Sequence, residues 1–370
     1  MSPHHNASIA TGTLRREVRI DKADLRRAEL VGAAAPPLAA GSARLRLDLF
    51  SLTANNVTYA AMGEGFAGYW DFFPAADGWG RLPVWGFATV VASTVPGVDE
   101  GSRYFGYYPL AETVDVVPGK VGPRGFVDTA PHRAAKAAVY NQHVDTRTDP
   151  AYDPDREAEQ VLLRPLYPSG WWAADRVHQA HPRTVVISSA SSKTALATAH
   201  RLRAIGESEL VALTSPRNEA WVRETGLYAR TSTYDGIGSL AAEAPVAYVD
   251  LLCSDEVTAA VHGAFGPRLI LSLRVGATDW AAQPGGVTAP AAPLAGTTPE
   301  LLFVPSYAPE RLRADRELGA AMLRDMRAFY AGSRALVTPA RLTGGDAILD
   351  SWARLVAGRT SPREGFVLSF

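Results

Sequence analysis

The chain has almost no cysteine: Cys253 stands alone among 370 residues. No intrachain disulfide can form, and a thiolate-rich zinc site is excluded. Cys253 follows the strand-like VAYVDLL and reads as a small buried hydrophobe before it reads as a nucleophile. An excess of one charge sign is lacking too. Lys and Arg total 37 against 38 Asp and Glu, so nothing is left over to neutralise phosphates, and a nucleic-acid partner has no support. No apolar run approaches the ~18–20 residues of a membrane span. The N-terminal stretch MSPHHNASIATGTLRREVRI lacks the continuous apolar segment of a signal peptide. These absences lead us to expect a cytoplasmic protein with no membrane partner. The eight histidines form no H-x-x-x-H or Cys/His ligand cluster, so no metal site is expected. No G-x-S-x-G elbow supports acyl-enzyme hydrolysis. The last absence is local: residues 187–199, ISSASSKTALATA, pass from a strand into a helix without one glycine.

What is present suits two domains, since 370 residues exceed one ordinary core. Residues 13–117 hold short β-type runs, TLRREVRI, ARLRLDLFSLT, ATVVAS and TVDVVP, separated by turns such as Pro96-Gly97 and Pro118-Gly119. They predict an antiparallel or barrel-like β domain. From about 184 strands alternate with helices: RTVVISS, a helix over 192–205, ELVALTS, a helix over 217–225, VAYVDLL, a helix over 255–265, then RLILSLRVG and LLFVPS. This alternation predicts a parallel sheet with helices on both faces. An amphipathic helix is expected over 311–332, after which β character returns at RALVTP, followed by a short helix near ILDSWARLVAG and a final strand, EGFVLSF. QPGGVTAPAAPLAG (283–296) is a Pro/Gly/Ala-rich loop.

A β domain, an α/β domain and a return to β is the layout of the medium-chain dehydrogenase/reductase superfamily. LTANNVTYAAMGEG, RLPVWGFATVVAS, GSRYFGYYP and the ending LDSWARLVAGRTSPREGFVLSF resemble its characteristic stretches. TANNVTYA, YWDFFP, VWGFA, SSASSKTA and LTSPRN together resemble a poorly characterised family within it, catalogued as a domain of unknown function. The resemblance implies an α/β fold: a β-rich, GroES-like barrel domain (1–135 and 333–370) plus a Rossmann-like, doubly wound parallel-sheet domain (136–332). It further implies a zinc-independent oxidoreductase of the quinone-oxidoreductase type.

A nucleotide-binding turn needs small residues, so that the backbone can approach a pyrophosphate, and a free helix N-terminus. Ser188, Ser189, Ser191 and Ser192 meet the first need without glycine, and Thr194 follows in the helix. Lys193 is mildly unfavourable in a first helical turn unless an anion sits nearby. The alternative is that Ser191 or Ser192 only caps the helix while Lys193 points into water. At the next strand end, Thr214, Ser215, Arg217 and Asn218 offer hydroxyl, amide and guanidinium donors with no carboxylate. That favours the 2′-phosphate of NADP over the 2′-hydroxyl of NAD; helix capping by Ser215 is the alternative. Asp250 and Ser254 fall where a third unit would approach the nicotinamide, or they are turn residues.

On the substrate side, Tyr59, Phe66, Tyr69, Trp70, Phe72, Phe73, Trp79, Trp85 and Phe87 crowd into residues 55–87. Such density lines a flat apolar cavity or forms a local aromatic core. Tyr59 and Asn55 are candidates for orienting a carbonyl, Tyr69 competes with Tyr59 as acid, and Asp71 is a candidate base. Three functions stay open: an NADP(H)-dependent oxidoreductase acting on a carbonyl or activated alkene of a small apolar or aromatic substrate, a lyase-type enzyme, and a nucleotide-binding protein without turnover. RLILSLRVG, late in the α/β domain, is expected to join a second copy in a homodimer.

Overall fold

The computed structural model describes residues 14–65, 68–275 and 294–370. Phe66, Gly276, the stretch before residue 14 and residues 283–293 of the Pro/Gly/Ala-rich loop lie outside the described residues.

Antiparallel strands come first: β1 (Leu14–Asp21), β2 (Ala28–Ala34), β3 (Ala43–Leu52), then helix α1 (Ala54–Ala61), β4 (Trp79–Arg81), β5 (Pro83–Ser93), β6 (Arg103–Pro109), β7 (Thr113–Val116), β8 (Pro118–Gly122), β9 (Gly125–Asp128) and β10 (Gln142–Asp145). Period-two patterning explains them. In β3 the leucines Leu45 and Leu47 are buried, while Arg46 between them is exposed. Helices α2 (Glu157–Leu163) and α3 (Tyr167–His178) lead into β11 (Thr184–Ile187), α4 (Lys193–Ile205), β12 (Glu209–Thr214), α5 (Pro216–Glu224), β13 (Arg230–Thr233), β14 (Val246–Asp250), α6 (Asp255–Phe265), β15 (Leu269–Arg274), β16 (Glu300–Leu301), α7 (Val304–Ala314) and α8 (Glu317–Gly332). The chain closes with β17 (Thr338–Thr343), α9 (Gly345–Val356) and β18 (Glu364–Ser369).

The β unit holds a sheet β2-β1-β4 and a larger one in the order β17-β18-β3-β5-β6-β10-β9-β8, with β7 on β3. β18 pairs antiparallel with β3, Leu368 opposite Phe50, so the C-terminus completes the N-terminal unit. The crossover to the α/β unit lies later than the expected residue 136, because β10 pairs with both β6 and β9.

The second unit is a six-stranded parallel sheet in the order β13-β12-β11-β14-β15-β16. Renumbered from its own first strand this is 3-2-1-4-5-6, the doubly wound order whose switch point lies between β11 and β14. All residues of β11 and β14 are buried, as strands covered on both faces must be. Val185 and Ile187 pack with Ala195 and Ala199 of α4, while Val186 faces Val261 and Phe265 of α6. The polar RTST of β13 gave no strand signal. Of LLFVPS only Leu301 joins the sheet, in β16 with Glu300, because Val304-Pro305 open α7 with proline in the first turn. The helix expected over 311–332 breaks before Glu317 into α7 and α8. Gly170 lets α3 approach α4: a Cβ there would lie 2.6 Å from the Thr194 carbonyl oxygen. No helix among the described residues is long and apolar enough to cross a membrane.

Candidate active site

Between the two units lies a cavity of about 1040 Å³. The serine turn forms one wall. Ser189 takes up a left-handed conformation, φ 47°, which explains why glycine is common at such turns. Its amide donates to the Tyr234 hydroxyl at 3.1 Å. Ser192 caps α4, accepting from the Ala195 amide at 3.2 Å, and Ser191 Oγ accepts from Asn218 Nδ2 at 3.1 Å. Ser189, Ser191, Ser192, Lys193 and Thr194 all line the cavity. Lys193 does not point into water. Its Nζ donates to the Glu364 carbonyl at 3.2 Å, and burial pushes its ammonium down to about 8 against the opposing charge of Glu364. The Glu364 carboxylate is itself held by Arg354 through both oxygens. The tertiary structure thus brings a cation into the cleft bonded to a carbonyl.

Arg217 and Asn218, from the first turn of α5, line the same wall, and Arg217 Nη1 reaches the Gly358 carbonyl at 3.4 Å. Thr214 and Ser215 stand just behind. Their hydroxyl oxygens are buried without a hydrogen-bond partner among the described residues, although neither residue lines the cavity. Ser215 occupies the N-cap position of α5 but makes no capping bond with its side chain.

Asp250 and Ser254 stand apart from the cleft. Asp250 is fully buried and accepts from Ser188 Oγ, the Tyr248 hydroxyl, the Cys253 amide and Thr258 Oγ1 at 2.9–3.0 Å. Ser188 Oγ in turn accepts from the amides of Leu251 and Leu252. This network ties β11 to β14 at the switch point, and Ser254 caps α6. Their expected place beside a nicotinamide is therefore corrected: these groups are used up inside the fold. Cys253 is buried, and burial together with Asp250 pushes its thiol up.

The opposite wall comes from the β unit. The Asn56 side chain accepts from the Thr53 amide at 2.8 Å and donates to the Pro83 carbonyl at 3.0 Å, fixing α1 against β5. That presents Asn55, Thr58 and Tyr59 to the cavity beside Tyr69, Phe72 and Trp85. Tyr59 and Tyr69 pack with ring centroids 4.5 Å apart. Trp85 Nε1 donates to the Tyr59 hydroxyl at 3.2 Å, and the hydroxyls of Tyr69 and Tyr140 are 3.4 Å apart. Burial raises all three phenols above their usual range, so they stay protonated hydrogen-bond donors. Trp70 belongs to the core instead: a Cβ on Gly63 or Gly80 would collide with its indole. Asp71 is also corrected. Its side chain is 65% exposed and paired with Lys136 at 2.8 Å, which is not the apolar setting of a base.

No motif pointed to Lys136, Tyr140, Arg164, the Glu364 carbonyl or the methionines of α8, all cavity-lining. Their local patterns, where present, mark a helix or strand and not a site, and they reach the cleft only through the fold. Nor did spacing reveal that His178 Nδ1 lies 2.9 Å, and His181 Nδ1 3.8 Å, from Glu207 Oε2. This His/Glu group lies outside the cavity lining.

A β-rich unit completed by the C-terminus, a 3-2-1-4-5-6 parallel sheet and a cleft between them define the medium-chain dehydrogenase/reductase fold. Within it, the chain belongs to the family described as "Protein of unknown function (DUF2855)", matched over residues 50–361. None of the curated proteins compared matches the sequence. Solved structures with this fold include CurA from Vibrio vulnificus in complex with NADPH (TM-score 0.65, 10% identity, covering 96% of this chain and 98% of that one). The yhdH oxidoreductase from Salmonella enterica in complex with NADP has a TM-score of 0.56 and 16% identity, covering 96% and 99%. The quinone oxidoreductase from Coxiella burnetii has 0.55 and 13%, with the same coverage.

Proposed function

We propose that the protein is an NADP(H)-dependent, zinc-independent oxidoreductase that acts on a carbonyl or activated alkene of an apolar or aromatic substrate. One observation carries the reading. At the first strand of a doubly wound sheet, a turn of small residues presents a helix N-terminus and a half-buried ammonium, that of Lys193, whose hydrogen bond goes to a carbonyl. A pyrophosphate adds counter-charge to that of Glu364, whose carboxylate is already held by Arg354. The unpartnered hydroxyls of Thr214 and Ser215, with Arg217 and Asn218 in front, suit a 2′-phosphate after small side-chain adjustments. The two neighbours solved with NADPH and NADP support the same choice.

When bound, the nicotinamide supplies hydride chemistry. The chain's own residues bind and orient. The aromatic wall of Tyr69, Phe72 and Trp85 excludes water from the substrate. Tyr59, whose oxygen already accepts from Trp85, keeps its own proton to donate to a substrate oxygen as negative charge develops there. Asn55, beside it, orients that oxygen. Tyr69 and Tyr140 hold the adjoining side of the wall. Among the described residues no histidine or cysteine lines the cavity, which supports a zinc-independent site.

The proposal includes a cytoplasmic location and a homodimer. Beyond β15 the sheet ends in two-residue β16, with Ile270 (42%), Leu301 (52%) and Phe303 (43%) exposed, an edge suited to a second copy. The function is tested by titrating NADPH and NADH into the protein by calorimetry, then following NADPH consumption with 2-alkenals, enones and quinones. Preferential NADPH binding with turnover is expected. Binding of neither cofactor overturns the reading, and NADPH binding without consumption leaves the non-redox alternatives.

A further inference from the structure

The cavity extends past the aromatic wall. Its volume of about 1040 Å³ spans the serine-turn wall as well as the aromatic one, so a bound nucleotide fills part of it and the lining beyond the aromatic wall marks the arm. Trp85 stacks on Phe105 with centroids 5.7 Å apart, and Phe105 shares a core cluster with Met326 of α8. From there the lining turns aliphatic, through Leu302, Val304, Met322 and Leu323. Every methionine after Met1, namely Met62, Met322 and Met326, lines this one cavity. Methionine is unbranched, with rotatable bonds and a polarisable sulfur, so a wall built from it adapts to its ligand where Leu or Phe would cut a fixed slot. Met322 and Leu323 are only half-buried, and no residue of α7 is buried, so this face has apolar surface left to cover. The cation beside it, Arg164, already pairs with Asp149 at 2.5 Å and stacks over the Phe105 ring at 4.1 Å. The arm therefore calls for an apolar occupant.

We propose that the methionine-lined arm between α8 and strands β6 and β10 holds a flexible alkyl or alkenyl tail of the substrate, several methylenes long, while the reacting group sits against Tyr59 and Trp85. The identity of the reacting group rests on the reductase reading above; the arm rests on its own lining. The substrate is thus longer than the small molecule expected from sequence.

The test uses straight-chain 2-alkenals of increasing length, alongside saturated alkyl amides that redox turnover does not consume. Specificity, kcat/KM, is expected to climb by up to about fourfold per methylene, the equivalent of about 0.8 kcal/mol for each buried CH2. Amide affinity by calorimetry is expected to climb in parallel. Met322→Trp fills the arm and is expected to flatten both climbs, with its melting temperature as control; Leu323→Trp does the same if the first variant fails to fold. Flat series in the wild type, or climbs that both variants leave unchanged, overturn the proposal. Amide affinities that climb and are flattened by the variants, with no alkenal consumed, keep the arm and remove the reductase reading instead.

Discussion

Replacing Lys193 by methionine keeps the side chain's length and removes its charge. Burial holds the ammonium down at about 8 from 10.5, and each unit is worth about 1.4 kcal/mol. Keeping Lys193 charged therefore costs the ligand-free native state about 3 kcal/mol at neutral pH. The bond to the Glu364 carbonyl, at 3.2 Å, is worth about 1 kcal/mol and offsets part of that cost. Lys193→Met is thus expected to stabilise the ligand-free protein by about 1–3 kcal/mol. The folded value lies below the unfolded one, so between about 8 and 10.5 the unfolded chain binds more protons than the native one. Wild-type stability rises across that window, and the advantage of the variant fades. Cofactor affinity moves the other way. Loss of one charge-assisted contact is expected to weaken NADPH binding roughly 10–100-fold at neutral pH. Wild-type affinity is expected to fall as pH rises through about 8, while that of the variant stays flat. Denaturant unfolding and calorimetry at neutral pH and above that window measure both. A variant that is less stable at neutral pH yet binds NADPH undiminished would refute the reasoning and make Lys193 a tether to β18.

Four further outcomes are expected. Arg217→Ala weakens NADP(H) roughly 10–100-fold and leaves NAD(H) almost unchanged; equal losses in calorimetry count against a 2′-phosphate site. Ser191→Leu abolishes nucleotide binding because bulk holds the backbone off the pyrophosphate, while losing the Asn218 bond costs only about 1 kcal/mol of stability; retained affinity with a lowered melting temperature would make the turn only a turn. Tyr59→Phe lowers kcat by roughly 10²–10⁴-fold, the usual worth of a proton donor, with a smaller effect from Tyr69→Phe; the reverse order in steady-state kinetics moves the donor to Tyr69. Light scattering at micromolar concentration reports a dimer, and a monomer removes the β15–β16 edge as its interface.

The sequence by itself determined most of the elements and their order, though not the polar strand β13 or the break between α7 and α8. Alternation in ARLRLDLFSLT and unbroken apolarity in TVVI and VAYVD follow from period two and from burial on both faces, which are local properties. The serine turn and LTSPRN stand out for the same reason: the phosphate site proposed there would be made of backbone and small residues over a few consecutive positions. Only the tertiary structure decided what each polar group is free to do. Asp250 and Asp71 carry the same side chain in similar turn settings; packing of β11 against β14 consumes one, and Lys136, 65 positions away, pairs the other at the surface. Lys193 was ambiguous between solvent and anion until β18, folding back from 171 residues downstream, placed a carbonyl beside it. The methionines of α8 read as one stripe of an amphipathic helix. Facing a cavity or a core is not a property of a helix but of what lies across from it, and that is decided by contacts distant in sequence.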